Sequence, residues 1–185
     1  MRKLTVFDNV SLDGYFTDAH ADMTWAHRFD PEWASFSADN ASGDGELLFG
    51  RVTYEMMLGF WPTAQAAKTM PVVAERMNNG RKVVFSRTLS EATWKNTRLL
   101  KGDLIAEVRK LKAEPGPGLV VLGSGSIAQQ LAEARLVDKY QLVICPIALG
   151  AGRTLFQGLR EKLELKLEKT RAFGNGNVVL WYAAA

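Results

Sequence analysis

The stretch Leu119-Val120-Val121-Leu122-Gly123-Ser124-Gly125-Ser126-Ile127 joins two kinds of pattern. Branched apolar residues stop at Gly-Ser-Gly-Ser, and a helical spacing of apolar residues (Ile127, Ala128, Leu131, Ala132) begins at once. A strand that turns through glycines into a helix gathers backbone N–H groups and the positive end of a helix dipole around one point, which favours a phosphate. Alone, the stretch equally suits an ordinary tight turn. A second junction of the same kind changes the balance: Glu46-Leu47-Leu48-Phe49 reads as a strand, and Gly50 leads into a helical pattern from Arg51 with Val52, Met56 and Met57 on one side. A third strand, Lys82-Val83-Val84-Phe85, closes on Ser86-Arg87.

Together these strand ends offer two helix N-termini, two arginines and several short hydroxyls. A ligand with several phosphates accounts for all of them. The turn Gly123 to Ser126 suits a pyrophosphate, and Arg51, Thr53, Ser86 and Arg87 suit a separate terminal phosphate such as the 2′-phosphate of NADP. Charge-assisted hydrogen bonds contribute roughly 1.5–3 kcal/mol each. Two arginine contacts therefore suffice to prefer NADPH over NADH by more than tenfold, which needs about 1.4 kcal/mol. Taken singly, Arg51 also suits a solvated helix start and Arg87 a turn.

The elements that must position these groups follow from periodicity. Lys3 to Val10, with Leu4, Val6 and Val10 among polar partners, reads as a first strand; Ser11 to Gly14 turns the chain, and a polar loop runs to about Trp25. Asp30-Pro31-Glu32 has the signature of a helix start, with an Asp cap, Pro at the first position and an acid in the first turn. That helix carries Trp33 and Phe36, and Trp61-Pro62 ends the helix from Arg51. A strand around Trp94 to Leu100, a helix from Asp103 (Leu104, Ile105, Val108, Leu111) and a strand from Lys139 to Pro146 complete the alternation. Pro115-Gly116-Pro117-Gly118 separates the helix from the strand at Leu119. Near the end, Leu163, Leu165 and Leu167 alternate with charged residues, and Gly174-Asn175-Gly176-Asn177 turns back into Val178 to Tyr182, an antiparallel hairpin. Strands alternating with helices predict an α/β fold with a mostly parallel sheet covered on both faces. Ligands in such sheets lie beyond the carboxyl ends of the strands, where the three junctions fall.

Bulk properties bound the rest. At 185 residues the chain fits one domain, residues 1–185, and a domain of this size buries roughly 70% of its unfolded surface. It needs neither disulfides nor a metal. A net charge of +3 without a block of like charges argues against nucleic acid. A single cysteine, Cys145, lies in an apolar run and reads as a small core residue; its lack of a partner suits a reducing cytoplasm. No apolar run approaches the roughly 18 residues of a membrane span, and no signal sequence is apparent. His20, His27 and one cysteine give no metal-ligand cluster.

Phe49-Gly50-Arg51-Val52-Thr53-Tyr54-Glu55 resembles the Gly-Arg-x-Thr-aromatic-Glu motif of dihydrofolate reductases. Phe85-Ser86-Arg87 and Gly123-Ser124-Gly125-Ser126 follow in the order and approximate spacing of that fold's other two NADPH-binding elements. Val10-Ser11-Leu12-Asp13-Gly14 and the segment from Pro146 to Phe156 are more similar to a sister group, the reductase domains of bifunctional riboflavin-biosynthesis deaminase-reductases and their stand-alone relatives. The resemblance covers essentially the whole chain. It implies a dihydrofolate-reductase-like three-layer α/β/α fold, a homodimer, and hydride transfer from NADPH. By motif, Gly50, Arg51, Thr53, Ser86, Arg87, Gly123, Ser124, Gly125, Ser126 and Ile127 hold the cofactor, while Asp13 and Gly14 line the nicotinamide and substrate cleft. In the riboflavin enzymes the acceptor is 5-amino-6-(5-phosphoribosylamino)uracil. Their deaminase half needs a zinc signature of the His-x-Glu and Cys-x-x-Cys type; this chain has none, so if it works in riboflavin synthesis the deamination is expected on another polypeptide.

Dihydrofolate reductases place an acid on the helix after the first loop to protonate the pterin. Asp30 holds a comparable place; it reads first as a helix cap, with substrate binding or protonation as a further hypothesis, and Glu32 is the other carboxylate within reach. Arg153, in Gly150-Ala151-Gly152-Arg153, suits a substrate phosphate as well as a plain turn. Trp25, Trp33 and Trp61 could shape an aromatic cleft, although Trp61 before Pro62 reads as a helix-end anchor and Trp33 as core. Two alternatives stand beside the riboflavin-type reductase: dihydrofolate reductase itself, and a dimeric NADP-binding module without turnover. A Rossmann dehydrogenase fits the chain less well, since no Gly-x-Gly-x-x-Gly follows the first strand.

Overall fold

A computed structural model describes residues 1–28 and 30–185. Its strands are β1 (Leu4–Ser11), β2 (Tyr15–Thr17), β3 (Glu46–Gly50), β4 (Lys82–Phe85), β5 (Thr97–Leu100), β6 (Leu119–Leu122), β7 (Lys139–Cys145), β8 (Arg153–Thr154), β9 (Leu165–Ala172) and β10 (Val178–Ala184). The helices are α1 (Pro31–Ala41), α2 (Arg51–Phe60), α3 (Ala64–Thr69), α4 (Pro71–Asn79), α5 (Leu104–Ala113) and α6 (Gly125–Glu133). Eight strands form one sheet in the order β5-β4-β3-β6-β1-β7-β10-β9, and β2 pairs with β8 apart from it. The first six of the eight run parallel; β10 is antiparallel to both β7 and β9.

Alternation along each strand divides the core into two sides. Leu4, Val6 and Val10 of β1, Leu119 and Val121 of β6 and Tyr140 and Leu142 of β7 pack against α5 and α6. The opposite side chains pack in two groups, one under α1 (Phe36, Val143, Cys145, Val179) and one under α2 and α4 (Leu47, Phe49, Tyr54, Met77, Val84). This is the three-layer α/β/α arrangement read from the sequence, closed by the hairpin β9–β10. The short helices α3 and α4 and the small β2–β8 sheet were not foreseen. The strand read from Trp94 begins only at Thr97; Trp94 is instead buried against Phe49 and Tyr54.

At the amino ends of the strands, charged groups are matched. Arg2 and Glu46 form a buried ion pair at 2.7 Å, and Lys112 meets Asp138 at 2.5 Å. Lys82 is fully buried, donates to the carbonyls of Met77, Asn78 and Gly80 that end α4, and lies 4.6 Å over the Trp94 ring. Burial, with Arg76 and Lys95 nearby, lowers its pKa to about 8.

Candidate functional site

The carboxyl ends of β4, β3 and β6 lie side by side, as the sheet order requires. Gly50 pairs with Phe85, so Ser86 and Arg87 leave the sheet next to the start of α2. The β3 and β6 ends are tied directly: the Gly50 N–H donates to Ser124 Oγ at 2.9 Å. A Cβ on Gly50 would come within 3.2 Å of Ile127, and one on Gly123 within 3.5 Å of Thr53. Residues 50, 53, 123, 124 and 127 therefore form one cluster at the carboxyl edge. It joins the N-termini of two helices that cover opposite faces of the sheet.

The turn into α6 needs unusual backbone. Gly123 and Ser124 have φ of +61° and +58°, both left-handed, a conformation that strains a residue with a Cβ such as Ser124. Gly125 is required for a different reason: a side chain there would run into the Phe16 ring. With its hydroxyl turned to Gly50, Ser124 cannot cap its own helix, and α6 has no side-chain cap and no acid in its first turn. The same holds for α2, whose N-cap is Gly50. The leading N–H groups of a helix have no intrahelical partner; in α6 only the third, at Ile127, is tied back to Ser124 O, so both helix starts keep a positive end available to an anion.

Other side chains read as candidates take more specific places. Arg51 is half-exposed and paired with Glu55 at 2.9 Å on its own helix. Arg87 is exposed. Ser86 Oγ accepts the N–H groups of Thr88 and Leu89 and holds the turn that presents Arg87. Ser126 is exposed at the α6 start. Ile127 differs from its neighbours: its N–H donates to Ser124 O at 2.8 Å and its side chain is buried, so it braces the junction and has no group left to offer.

Arg153 on β8 stands 5.4 Å from the centroid of the Phe16 ring that abuts Gly125, which brings it to the same corner. Asp13 is fully engaged. It accepts from Ser11 Oγ (2.6 Å), from the Leu149 N–H (3.0 Å) and from the Gly150 N–H (2.7 Å), fastening the first turn to the loop after β7. These bonds, the Ser11 one foremost, lower its pKa to about 2. Gly14, with φ +88°, faces open space beside it.

Asp30 is the N-cap of α1, accepting the Trp33 N–H at 2.8 Å. Its second oxygen lies toward Gly174 of the closing hairpin. Trp25 is half-buried beside the α1 group of core residues and donates its Nε1–H to Asp22 O. The three tryptophans do not share a cleft. Trp33 packs with Phe36 and Phe173, while Trp61 ends α2 in the core group on the far side of the sheet centre. Cys145 is fully buried, which pushes its thiol up to about 11 and leaves it inert.

One acidic group escaped the sequence reading: Asp8 of β1, 2% exposed. The signal was present, since an acid at position 8 falls in the same inward register as Leu4, Val6 and Val10.

An eight-stranded sheet in this order, with helices on both faces and uncapped helix starts at its carboxyl edge, defines a dihydrofolate-reductase-like fold. Residues 2–179 match the RibD C-terminal domain, and the chain belongs to that family. Two Bacillus subtilis (strain 168) proteins, YyaP and YwjB, both without a characterised function, are similar along their length. YyaP is 28% identical over 94% of this chain and 90% of its own, and YwjB 24% identical over 100% and 99%.

Among solved structures, a Shewanella sp. PV-4 protein provisionally assigned to riboflavin biosynthesis superposes with a TM-score of 0.73 at 24% identity over 99% of both chains. A pyrimidine reductase-like protein from Corynebacterium diphtheriae gives 0.65 at 14% identity, covering 100% of this chain and 92% of that one. The Thermotoga maritima diaminohydroxyphosphoribosylaminopyrimidine deaminase/5-amino-6-(5-phosphoribosylamino)uracil reductase gives 0.67 at 14% identity. This chain spans 57% of that bifunctional protein. No helix among the described residues is long and apolar enough to cross a membrane.

Proposed function

We propose that the chain is an NADPH-dependent reductase, transferring a hydride to a small heterocyclic or ribosylated acceptor of the 5-amino-6-(5-phosphoribosylamino)uracil type. We place it in the cytoplasm as a homodimer. The observation that carries the reading is the pair of uncapped helix starts, α2 and α6, joined through Gly50 and Ser124. The residues fit the cofactor: glycines allow close backbone approach, no acid stands in either first turn, and two arginines with short hydroxyls lie beside the α2 start. Membership of a reductase-domain family supports the same reading.

When bound, the dinucleotide supplies the hydride. The chain's own part is to hold and orient. The first-turn N–H groups at Ser124, Gly125 and Ser126 take the diphosphate. Arg51 and Arg87 take the 2′-phosphate with Thr53 and Ser86, whose Oγ already accepts two N–H groups and so keeps its hydrogen to donate. Arg51 must exchange Glu55 for the phosphate, which costs little in an exposed pair. Asp13, by fixing the loop at Leu149 and Gly150 against the first turn, shapes the wall of the acceptor cleft and brings Gly14 and Arg153 toward it. Asp30 keeps one carboxylate oxygen for the acceptor while the other caps α1.

The test is an NADPH fluorescence titration followed by a screen of pterin, pyrimidine-ribotide and carbonyl acceptors. Saturable binding that weakens with salt, and oxidation by a pyrimidine ribotide, is the expected result. Turnover of dihydrofolate instead makes the chain a dihydrofolate reductase. Binding without oxidation by any acceptor makes it a non-catalytic module, and failure to bind NADPH removes the reading. Gel filtration with light scattering checks the dimer.

A further inference from the structure

Asp8 is an ionisable group for which neither the core nor the proposed reaction has a use. Its Oδ1 accepts the Asn9 N–H at 2.9 Å; its Oδ2 is buried without a partner. A charged oxygen in that condition is costly, and the usual escape is to hold a proton.

Register locates the carboxyl. The pairing of β1 with β6 ends at Phe7 and Leu122, and the Gly123 N–H donates back to Phe7 O at 3.0 Å. Asp8 is thus the first residue of β1 past the end of β6, alongside the turn that starts α6. It occupies the inward register shared with Val6 and Val10, on the face where Ile127 and Ala128 of the α6 first turn pack with Phe16. The Phe16 ring abuts Gly125 at the start of α6. The Tyr140 hydroxyl, on the same face of β7 (Val6 pairs with Tyr140, Asp8 with Leu142), is also buried without a partner.

The groups packed here from β2, β6, β7 and the first turn of α6 are otherwise uncharged. Arg153 stands 5.4 Å from the Phe16 ring centroid, and Glu133 and Arg135 lie at the far end of α6. Burial raises Asp8 to about 7 and Tyr140 to about 12, so of the two only Asp8 changes charge near neutrality.

We propose that Asp8 sets the charge of the α6 cradle: the helix start accepts an anionic diphosphate with this carboxyl protonated, so that a dinucleotide binding to the ionised form brings in one proton. The proposal rests on the reading that α6 holds the cofactor's diphosphate. Ionised, Asp8 sits beneath the same positive helix end and opposes the incoming anion; neutral, it does not. An anion beside an acid raises its pKa, and by reciprocity protonation of the acid tightens the anion. Below about 7 the carboxyl is already neutral and affinity is insensitive to pH. Above that value the proton must come from solvent, and affinity falls by up to tenfold per pH unit. Asp8 is a positioning residue in this scheme, acting through the helix start and not on the acceptor.

The experiment is calorimetric titration of NADPH into the protein and its Asp8→Asn variant from pH 6 to 9, in two buffers of different ionisation enthalpy. The 2′-phosphate itself titrates near 6, so the readout is the difference between the two proteins, in which that contribution cancels. The wild type weakens about tenfold more than the variant between pH 7.5 and 8.5 and takes up as much as one extra proton; the variant binds more tightly at pH 8.5. Parallel pH profiles with equal proton uptake overturn the proposal and leave the cofactor site standing. If neither protein binds NADPH, both fall. A second measurement needs no variant: carboxyl NMR of the wild type shows one aspartate titrating near neutrality that moves higher when NADP⁺ is added. An unmoved titration overturns the proposal.

Discussion

Helices begin along the carboxyl edge of this sheet in two ways. The starts of α1 and α5 are closed by their own side chains: Asp30 accepts the Trp33 N–H and Asp103 the Ala106 N–H. The starts of α2 and α6 are not. Gly50 has no side chain to cap with, and Ser124, which has one, gives it to Gly50. A helix left open in this manner forgoes capping stability, from a few tenths of a kcal/mol at a glycine to about 1 kcal/mol, and in α6 the chain adds left-handed strain at Ser124. Capped starts have their first-turn N–H satisfied and stabilise the fold without a ligand. Open ones are stabilised only when a ligand arrives, and in this molecule the two open starts are adjacent. The amino edge teaches the same by contrast, since Arg2–Glu46, Lys112–Asp138 and the Lys82 contacts are complete within the protein.

Five substitutions can break or sharpen this contrast. The largest effect concerns Asp8 and stability. Its raised pKa means that stability present below the unfolded value of about 4 is lost as pH rises toward about 7. Asp8→Asn removes that loss, so urea unfolding at pH 8 shows the variant about 2–4 kcal/mol more stable relative to wild type than it is at pH 4. Next is Gly125→Val, which drives a side chain into Phe16 at the α6 start. We expect a loss of NADPH affinity of about a hundredfold, with about 1–3 kcal/mol of stability from overpacking. Third, Arg51→Ala and Arg87→Ala each weaken NADPH about tenfold by fluorescence titration, leave NADH nearly unchanged and reduce the salt dependence. Smallest is Asp103→Ala at a capped start: about 1 kcal/mol lower stability and an unaltered NADPH affinity. Should Asp103→Ala weaken the cofactor as much as Gly125→Val, the two kinds of helix start are not functionally different.

What the sequence disclosed follows the range of the forces involved. The junctions at Gly50 and Gly123 were legible because a strand, a glycine turn and a helix are all local patterns; the Asp30 start was legible as a cap and the helix from Asp103 by its apolar face. The helices α3 and α4 were not read: α3 is six residues long, and the pair hides in a polar stretch where Thr63 and Pro71 were the available start signals. The small sheet of β2 and β8 rests on a pairing between residues far apart in the chain, Thr17 with Arg153. Non-locality also hid Arg2–Glu46 and the full engagement of Asp13, read only as lining a cleft. Ile127 was assigned to the ligand by motif, whereas its packing on Gly50 is set by a contact across two strands.

The central claim is that the open starts of α2 and α6 together bind a dinucleotide's phosphates. Mapping backbone amide shifts by ¹⁵N NMR while NADPH is added tests it most directly. The account predicts that the amides of Arg51, Val52, Ser124, Gly125 and Ser126 move most, while those in the first turns of α1 and α5 stay still. Saturable shifts centred elsewhere, or none at millimolar NADPH, would contradict it.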